Sequence, residues 1–206
     1  MSRLKPLIIG SCLLLTLPLA GCSVKTPVTN YYSLVASTPQ IKTRTAQPLS
    51  VAVAVGPIRI PQQLNRPQIV TRSDTFQVNI AEYERWSGDL QEEMTHVISS
   101  QLSHHLGTDK IIVTPWPKAY TPNWLIMVDV QRFDGQLDKA AFLEARWVLT
   151  KKETDLTLSG FSRYQEEVEG AGYAALVAAQ SRLLETLSLE IAEKIRTHNE
   201  EELPRE

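Results

Sequence analysis

The chain has 206 residues, with 21 Lys and Arg against 23 Asp and Glu, a formal net charge of −2 and 43% hydrophobic residues. That length suffices for one domain with a real core. The near-balanced charge excludes the basic footprint of nucleic-acid readers, so no nucleic-acid partner is expected.

Arg3 and Lys5 precede an apolar run from Leu7 to Leu19, interrupted only by small or mildly polar residues and Pro18. At about a dozen residues this run is too short for a membrane span, which needs about 20. It has the length of a secretory h-region, and Ala20 and Gly21 are small enough to suit a signal peptidase. Cys22 follows directly. The tetrapeptide Leu19-Ala20-Gly21-Cys22 matches the bacterial lipobox, whose cysteine takes a diacylglyceryl group and becomes the first residue of the mature protein. An ordinary signal peptide with a chance cysteine is the alternative, and it leaves the tetrapeptide unexplained. Residues 1–21 are therefore read as a lipoprotein signal peptide and Cys22 as the lipid attachment site. One myristoyl chain binds a membrane only marginally, each buried methylene adding about 0.8 kcal/mol. Two or three chains on one sulfur and amine make the anchor effectively permanent. By resemblance to other bacterial lipoproteins, an aspartate after the cysteine favours the inner membrane. Ser23 stands there instead, which points to the periplasmic face of the outer membrane.

The mature chain then keeps 185 residues and a net charge of −4, because Arg3 and Lys5 leave with the leader. Cys12 leaves too. An acylated Cys22 is the only remaining cysteine, so neither a disulfide nor a thiolate site is expected.

Residues 22–48 are rich in Thr, Ser, Pro, Gln and Lys and read as a flexible tether. Its one apolar island, near 31–35, is β-favouring and is expected to form a short strand. At about 3.3 Å per residue the whole tether reaches on the order of 80 Å. Residues 49–198 read as one periplasmic domain. Val51, Val53 and Val55 alternate with alanines as a strand does, and Gly56-Pro57 breaks the ladder before Ile58 and Ile60 resume it. The segment 62–72, with Asn65, Arg66 and Pro67, reads as a loop. Phe76, Val78 and Ile80 alternate as a second strand.

Ser87 is a suitable N-cap for a helix over 88–106, whose apolar residues Leu90, Met94, Val97, Ile98, Leu102 and Leu106 fall three or four apart. Gly107 supplies the stop. A meander follows. Ile111–Val113 is short; Trp124, Ile126, Val128 and Val130 share a strand face ahead of the turn signal Asp134-Gly135. Leu143, Ala145, Trp147 and Leu149 line the next strand, and 156–161 a third. The last element is a long helix with the stripe Tyr173, Leu176, Val177, Leu184, Leu187, Ile191 and Ile195, and with Glu190 and Lys194 paired on its outer side. Residues 199–206 form a charged tail. This order predicts an α+β fold, a mainly antiparallel sheet with two helices packed on one face. Asp129, Gln131, Glu144 and Arg146 point to the other face, which is solvated or a partner surface.

No Gly-x-Ser-x-Gly elbow, phosphate-cradling glycine loop, His-Glu-x-x-His or EF-hand pattern is present. His96 and His104 lie too far apart on their helix to share a metal, and the histidines read as solvent-facing. Glu166, Glu167 and Glu169 read as a solvated loop. Neither enzymatic chemistry nor any cofactor or metal is expected. Trp86 and Trp147 read as core. Tyr31, Tyr32, Arg66 and Pro67 are the candidate partner contacts, because polar loops near a tether have less structural reason to be aromatic or rigid.

Taken together, the lipobox, Tyr31–Leu34, the run Val51–Pro61, Arg66–Val70, Arg85-Trp86, Val128–Gly135, Ala145–Trp147 and Tyr173–Val177 with Ile191-Ala192 resemble the ABC-type transport auxiliary lipoproteins, in particular their paraquat-inducible branch. The resemblance spans nearly the whole mature chain; order and spacing carry it. It implies a non-enzymatic outer-membrane lipoprotein serving an intermembrane lipid transport system built on MCE (mammalian cell entry) domain proteins. An MCE-domain transport protein is then the expected partner. Because MCE assemblies are rings, a ring-shaped homo-oligomer is a further expectation. Two rival readings stay open: a lipid-binding periplasmic carrier, which needs an apolar concavity of at least a few hundred Å³, and a structural lipoprotein of envelope assembly.

Overall fold

The computed structural model describes residues 27–36, 48–74 and 76–200. The lipobox Leu19–Cys22, the signal peptide and residues 201–206 of the tail lie outside the described residues.

The elements run β1 (Asn30–Tyr32), β2 (Val53–Arg59), β3 (Gln68–Arg72), β4 (Val78–Trp86), α1 (Leu90–Leu106), β5 (Ile111–Val113), β6 (Trp124–Gln136), β7 (Ala140–Lys151), β8 (Thr157–Glu167) and α2 (Gly172–Glu200). The fold is α+β, as the pattern predicts, but the strands divide into two sheets. A five-stranded sheet has the order β5-β2-β6-β7-β8, and a three-stranded sheet the order β1-β4-β3. The long pairings β6–β7 and β7–β8 are antiparallel, as short connections require. The central strand β2 is parallel to both β5 and β6, and β1 is parallel to β4. The sheets are therefore largely, not wholly, antiparallel. β5 joins β2 rather than the meander, because α1 lies between them and carries the chain back to the same end.

Both helices pack on one face of the large sheet, α1 over β2 and β5, α2 over β6, β7 and β8, and the two against each other. Between helices and sheet lie Val53, Val55, Trp124, Ile126, Leu143, Leu149, Leu102, Leu184, Leu187 and Ile191, all essentially buried. The opposite face carries exposed Asp129, Gln131 and Arg146 with half-buried Glu144.

Several local readings change. The turn signal Asp134-Gly135 lies inside β6, and the chain reverses at 137–139 with Asp138 at φ 59°. Gly135 is there for close packing: a Cβ would overlap Leu176 and the Ala140 carbonyl. Residues 68–72, read as loop, form β3, whose Ile69, Val70 and Thr71 are buried. α1 is capped by Asp89, whose carboxylate accepts from Glu92 N at 3.0 Å, and not by Ser87. Ser87 lies two residues before that cap, and its hydroxyl donates to Glu93 Oε1 at 2.9 Å instead. Glu166 and Glu167 lie in β8, not a loop, and Glu166 accepts from Arg182 at 2.7 Å. Glu190 faces the sheet rather than solvent: Ser162 Oγ, at 2.5 Å, and Tyr164 OH both donate to it.

Candidate docking surface

The amino-terminal residues 30–36 are held on the domain at four places. Asn30 Nδ2 donates to the Glu84 carboxylate at 3.1 Å, and Tyr32 OH donates to the same group at 2.5 Å. Ser87 N donates to the Tyr32 carbonyl at 2.8 Å, and Leu34 N to Glu93 Oε2 at 2.9 Å. Val35 N donates to Ser181 Oγ at 3.2 Å, and the Leu34 side chain enters the core. Glu93 thus ties three segments together, since its other oxygen accepts from Ser87 Oγ and Gly88 N.

The register of the small sheet brings the four sequence-predicted contact residues to one end. Tyr31 lies opposite Arg85, and Arg85 opposite Gln68; Tyr32 lies opposite Trp86, whose N–H donates to the Pro67 carbonyl at 2.7 Å. The two tyrosines face opposite ways, as neighbours on a strand must. Tyr31 is 65% exposed. Tyr32 is half-buried, its ring 6.3 Å from Tyr173 on α2. Burial, then the hydrogen bond to Glu84 and that group's charge, push the Tyr32 hydroxyl up to about 12. Pro67 is exposed; Arg66 is half-buried, with its Nε buried and lacking a hydrogen-bond partner. Tyr31, Arg85 and Pro67 therefore bring an aromatic, a cation and a rigid turn to one rim.

Beside this rim, Tyr31, Tyr32, Ser33, Val35, Ala174 and Val177 help line a groove of about 550 Å³ between residues 31–35 and α2. A second surface lies at the β3–β4 hairpin. Phe76 is 94%, Ile80 50% and Val78 42% exposed, whereas the alternation predicts a buried face. Nothing among the described residues covers that hairpin. β4 starts at Val78, and β1 pairs only with Glu84–Trp86 at its far end. The polar neighbours Gln77 and Asn79 gave no sign of which face would stay open.

The His104 and His105 rings stand 5.4 Å apart, edge to face, with His96 eight residues before His104 on α1. His96 and His104 are exposed, while His105 is half-buried with its Nε2 enclosed and lacking a hydrogen-bond partner. Burial first, then the charge of His104, hold the His105 imidazole below its usual 6.5. Among the described residues no three His, Cys, Asp or Glu side chains come together as metal ligands would, and no helix is long and apolar enough to cross a membrane.

The family model for the ABC-type transport auxiliary lipoprotein component matches residues 32–192. The chain belongs to that family. No curated protein matches it. A crystal structure of an uncharacterised protein aligns with this family member at a TM-score of 0.67 and 19% identity, covering 82% of this chain and 99% of its own. A Xanthomonas campestris protein aligns at 0.67 and 15% identity, covering 84% and 98%. At these identities the likeness is one of fold alone. The PelC dodecamer from Paraburkholderia phytofirmans aligns at 0.41 and 11% identity over 71% of this chain and 93% of its own, a likeness too low to speak to assembly.

Proposed function

We propose that the protein is a non-enzymatic docking subunit of an MCE-type intermembrane lipid transport system. Acyl chains on Cys22 fix it to the periplasmic face of the outer membrane. The observation that carries this reading is the family match over residues 32–192, combined with the Leu19–Cys22 lipobox. With Asn30–Tyr32 paired to β4, only residues 23–29 separate Cys22 from the fold. Seven extended residues reach about 25 Å, not the 80 Å of the full tether, so the domain works close to its membrane. The rim of Tyr31, Pro67 and Arg85, with half-buried Arg66 beside it and Tyr32 behind it positioning β1, is the surface offered to the MCE partner. A ring-shaped homo-oligomer would match the symmetry of an MCE ring; elution as a monomer at high concentration counts against it.

Photo-crosslinking in intact cells from Tyr31, followed by mass-spectrometric identification, tests the docking reading. An MCE-domain protein is the expected product. A product with peptidoglycan or an outer-membrane barrel would move the protein to the structural class. The carrier reading is favoured by one observation, the groove beside Val35 and Val177. Native mass spectrometry separates the two: co-purifying phospholipid supports a carrier, and a lipid-free domain supports docking.

A further inference from the structure

We propose that the β3–β4 hairpin is a second membrane contact, with Phe76, Val78 and Ile80 seated in the headgroup region of the leaflet that holds the Cys22 acyl chains. This rests on the reading of Cys22 as the anchor. Two independent features meet here. The first is apolar exposure in a place where a soluble surface has no use for it. Phe76 is 94% exposed, and Val78 and Ile80 follow at every second position on an edge that β1 leaves unpaired. The Asp74 side chain accepts from the backbone N–H of Phe76 and of Gln77, each at 2.8 Å, which fixes the backbone at Phe76.

The second feature is direction. β1 is parallel to β4, with Asn30 opposite Glu84, so the chain upstream of Asn30 departs toward the Val78 end of β4. Cys22 lies eight residues before Asn30, and Phe76 lies eight residues before Glu84. At about 3.3 Å per residue both intervals span about 26 Å. The anchor therefore leaves the domain toward the hairpin tip, with just enough chain to place Cys22 and Phe76 at one level. The β6–β7 turn shares that end, since Gln136 Nε2 donates to the Ser73 carbonyl at 3.4 Å. The exposed Asp74 and Asp138 keep this end in the headgroup layer and out of the hydrocarbon. A surface row of aromatic and branched apolar side chains beside that anchor adds an interfacial contact to acyl chains that already hold the protein on the bilayer. It would hold the docking rim at a fixed tilt to the bilayer.

The test uses the full acylated chain. Because Cys22 would be blocked, Phe76→Cys and Thr154→Cys each give a single thiol for an environment-sensitive fluorophore; Thr154 lies exposed in the β7–β8 turn, at the other end of the sheet. The labelled proteins are placed in phosphatidylcholine vesicles containing headgroup-region or deep-chain quencher lipids. The expected result is a blue shift at position 76 with strong quenching by the shallow quencher, and neither at 154. Unquenched emission at both positions, with acylation of Cys22 verified by mass, overturns the hairpin contact and leaves the anchor standing. A blue shift at 76 without lipid quenching assigns the patch to a second copy of the chain or to another protein, and also overturns it. An unacylated Cys22 overturns both readings.

Discussion

Asp134 joins the two sheets. Its carboxylate, buried near the end of β6, accepts from Arg132 Nε at 2.8 Å and from Arg72 Nε on β3, while Arg132 also lies over the Phe142 ring at 4.0 Å. Removing the carboxylate leaves two guanidiniums that are about 30% exposed and can turn to water, so the cost is below that of a fully buried pair. Asp134→Ala is expected to lower the unfolding free energy by about 2 kcal/mol, read from urea midpoints. Tyr32 makes the domain sensitive to alkali. Its folded pKa of about 12 exceeds the ordinary 10.0, so the stability it contributes is complete below pH 10 and is lost as pH rises through about 12. Tyr32→Phe should flatten that part of the alkaline unfolding profile; an unchanged slope would assign it elsewhere. Such residues were poorly legible in sequence. Asp134 beside Gly135 looked like a turn because local chemistry cannot register Leu176 packing on the glycine from a helix some 40 residues away. Lys151, a charged residue at the end of β7, is buried and donates to the His198 carbonyl at 3.3 Å near the α2 terminus.

At the scale of elements, the strongly periodic stretches were readable and the short ones were not. The α1 and α2 stripes and the β6–β7–β8 meander follow from side-chain period alone, because one buried face fixes the register. β3 was hidden by Asn65, Arg66 and Pro67, which mark the turn before it. β4 misled in the other direction: a clean alternation that stays exposed at its first half. The amino-terminal strand was visible as an apolar island, but its partner was not, since a parallel pairing between residues 54 positions apart leaves no local trace. Glu93 is the hinge of that pairing. Glu93→Ala should speed hydrogen exchange at the Leu34 amide roughly tenfold to a hundredfold, the loss of a charge-assisted hydrogen bond of about 1.5–3 kcal/mol. Amides in the middle of α1 should keep their protection. Equal acceleration in both places would mean that the helix, and not the clasp, depends on this carboxylate.

In the whole molecule the Tyr31–Pro67 rim, the apolar hairpin and the first strand all gather at the small sheet, apart from the helices and most of the large sheet. Of the four contact residues expected from sequence, Tyr31 and Pro67 stand on that rim, Arg66 is half-buried beside it and Tyr32 holds the strand in place. Their gathering came from register, which composition cannot encode. A short covalent link between this sheet and a bilayer underlies the proposed docking role. Mass analysis of the mature amino-terminal peptide from envelope fractions, with labelled palmitate supplied during growth, tests it most directly. The expected mature chain begins at Cys22, carries two or three acyl chains, and becomes freely extractable when Cys22→Ala blocks the modification. A mature chain that begins elsewhere, takes up no palmitate and fractionates with the periplasmic fluid would contradict that link.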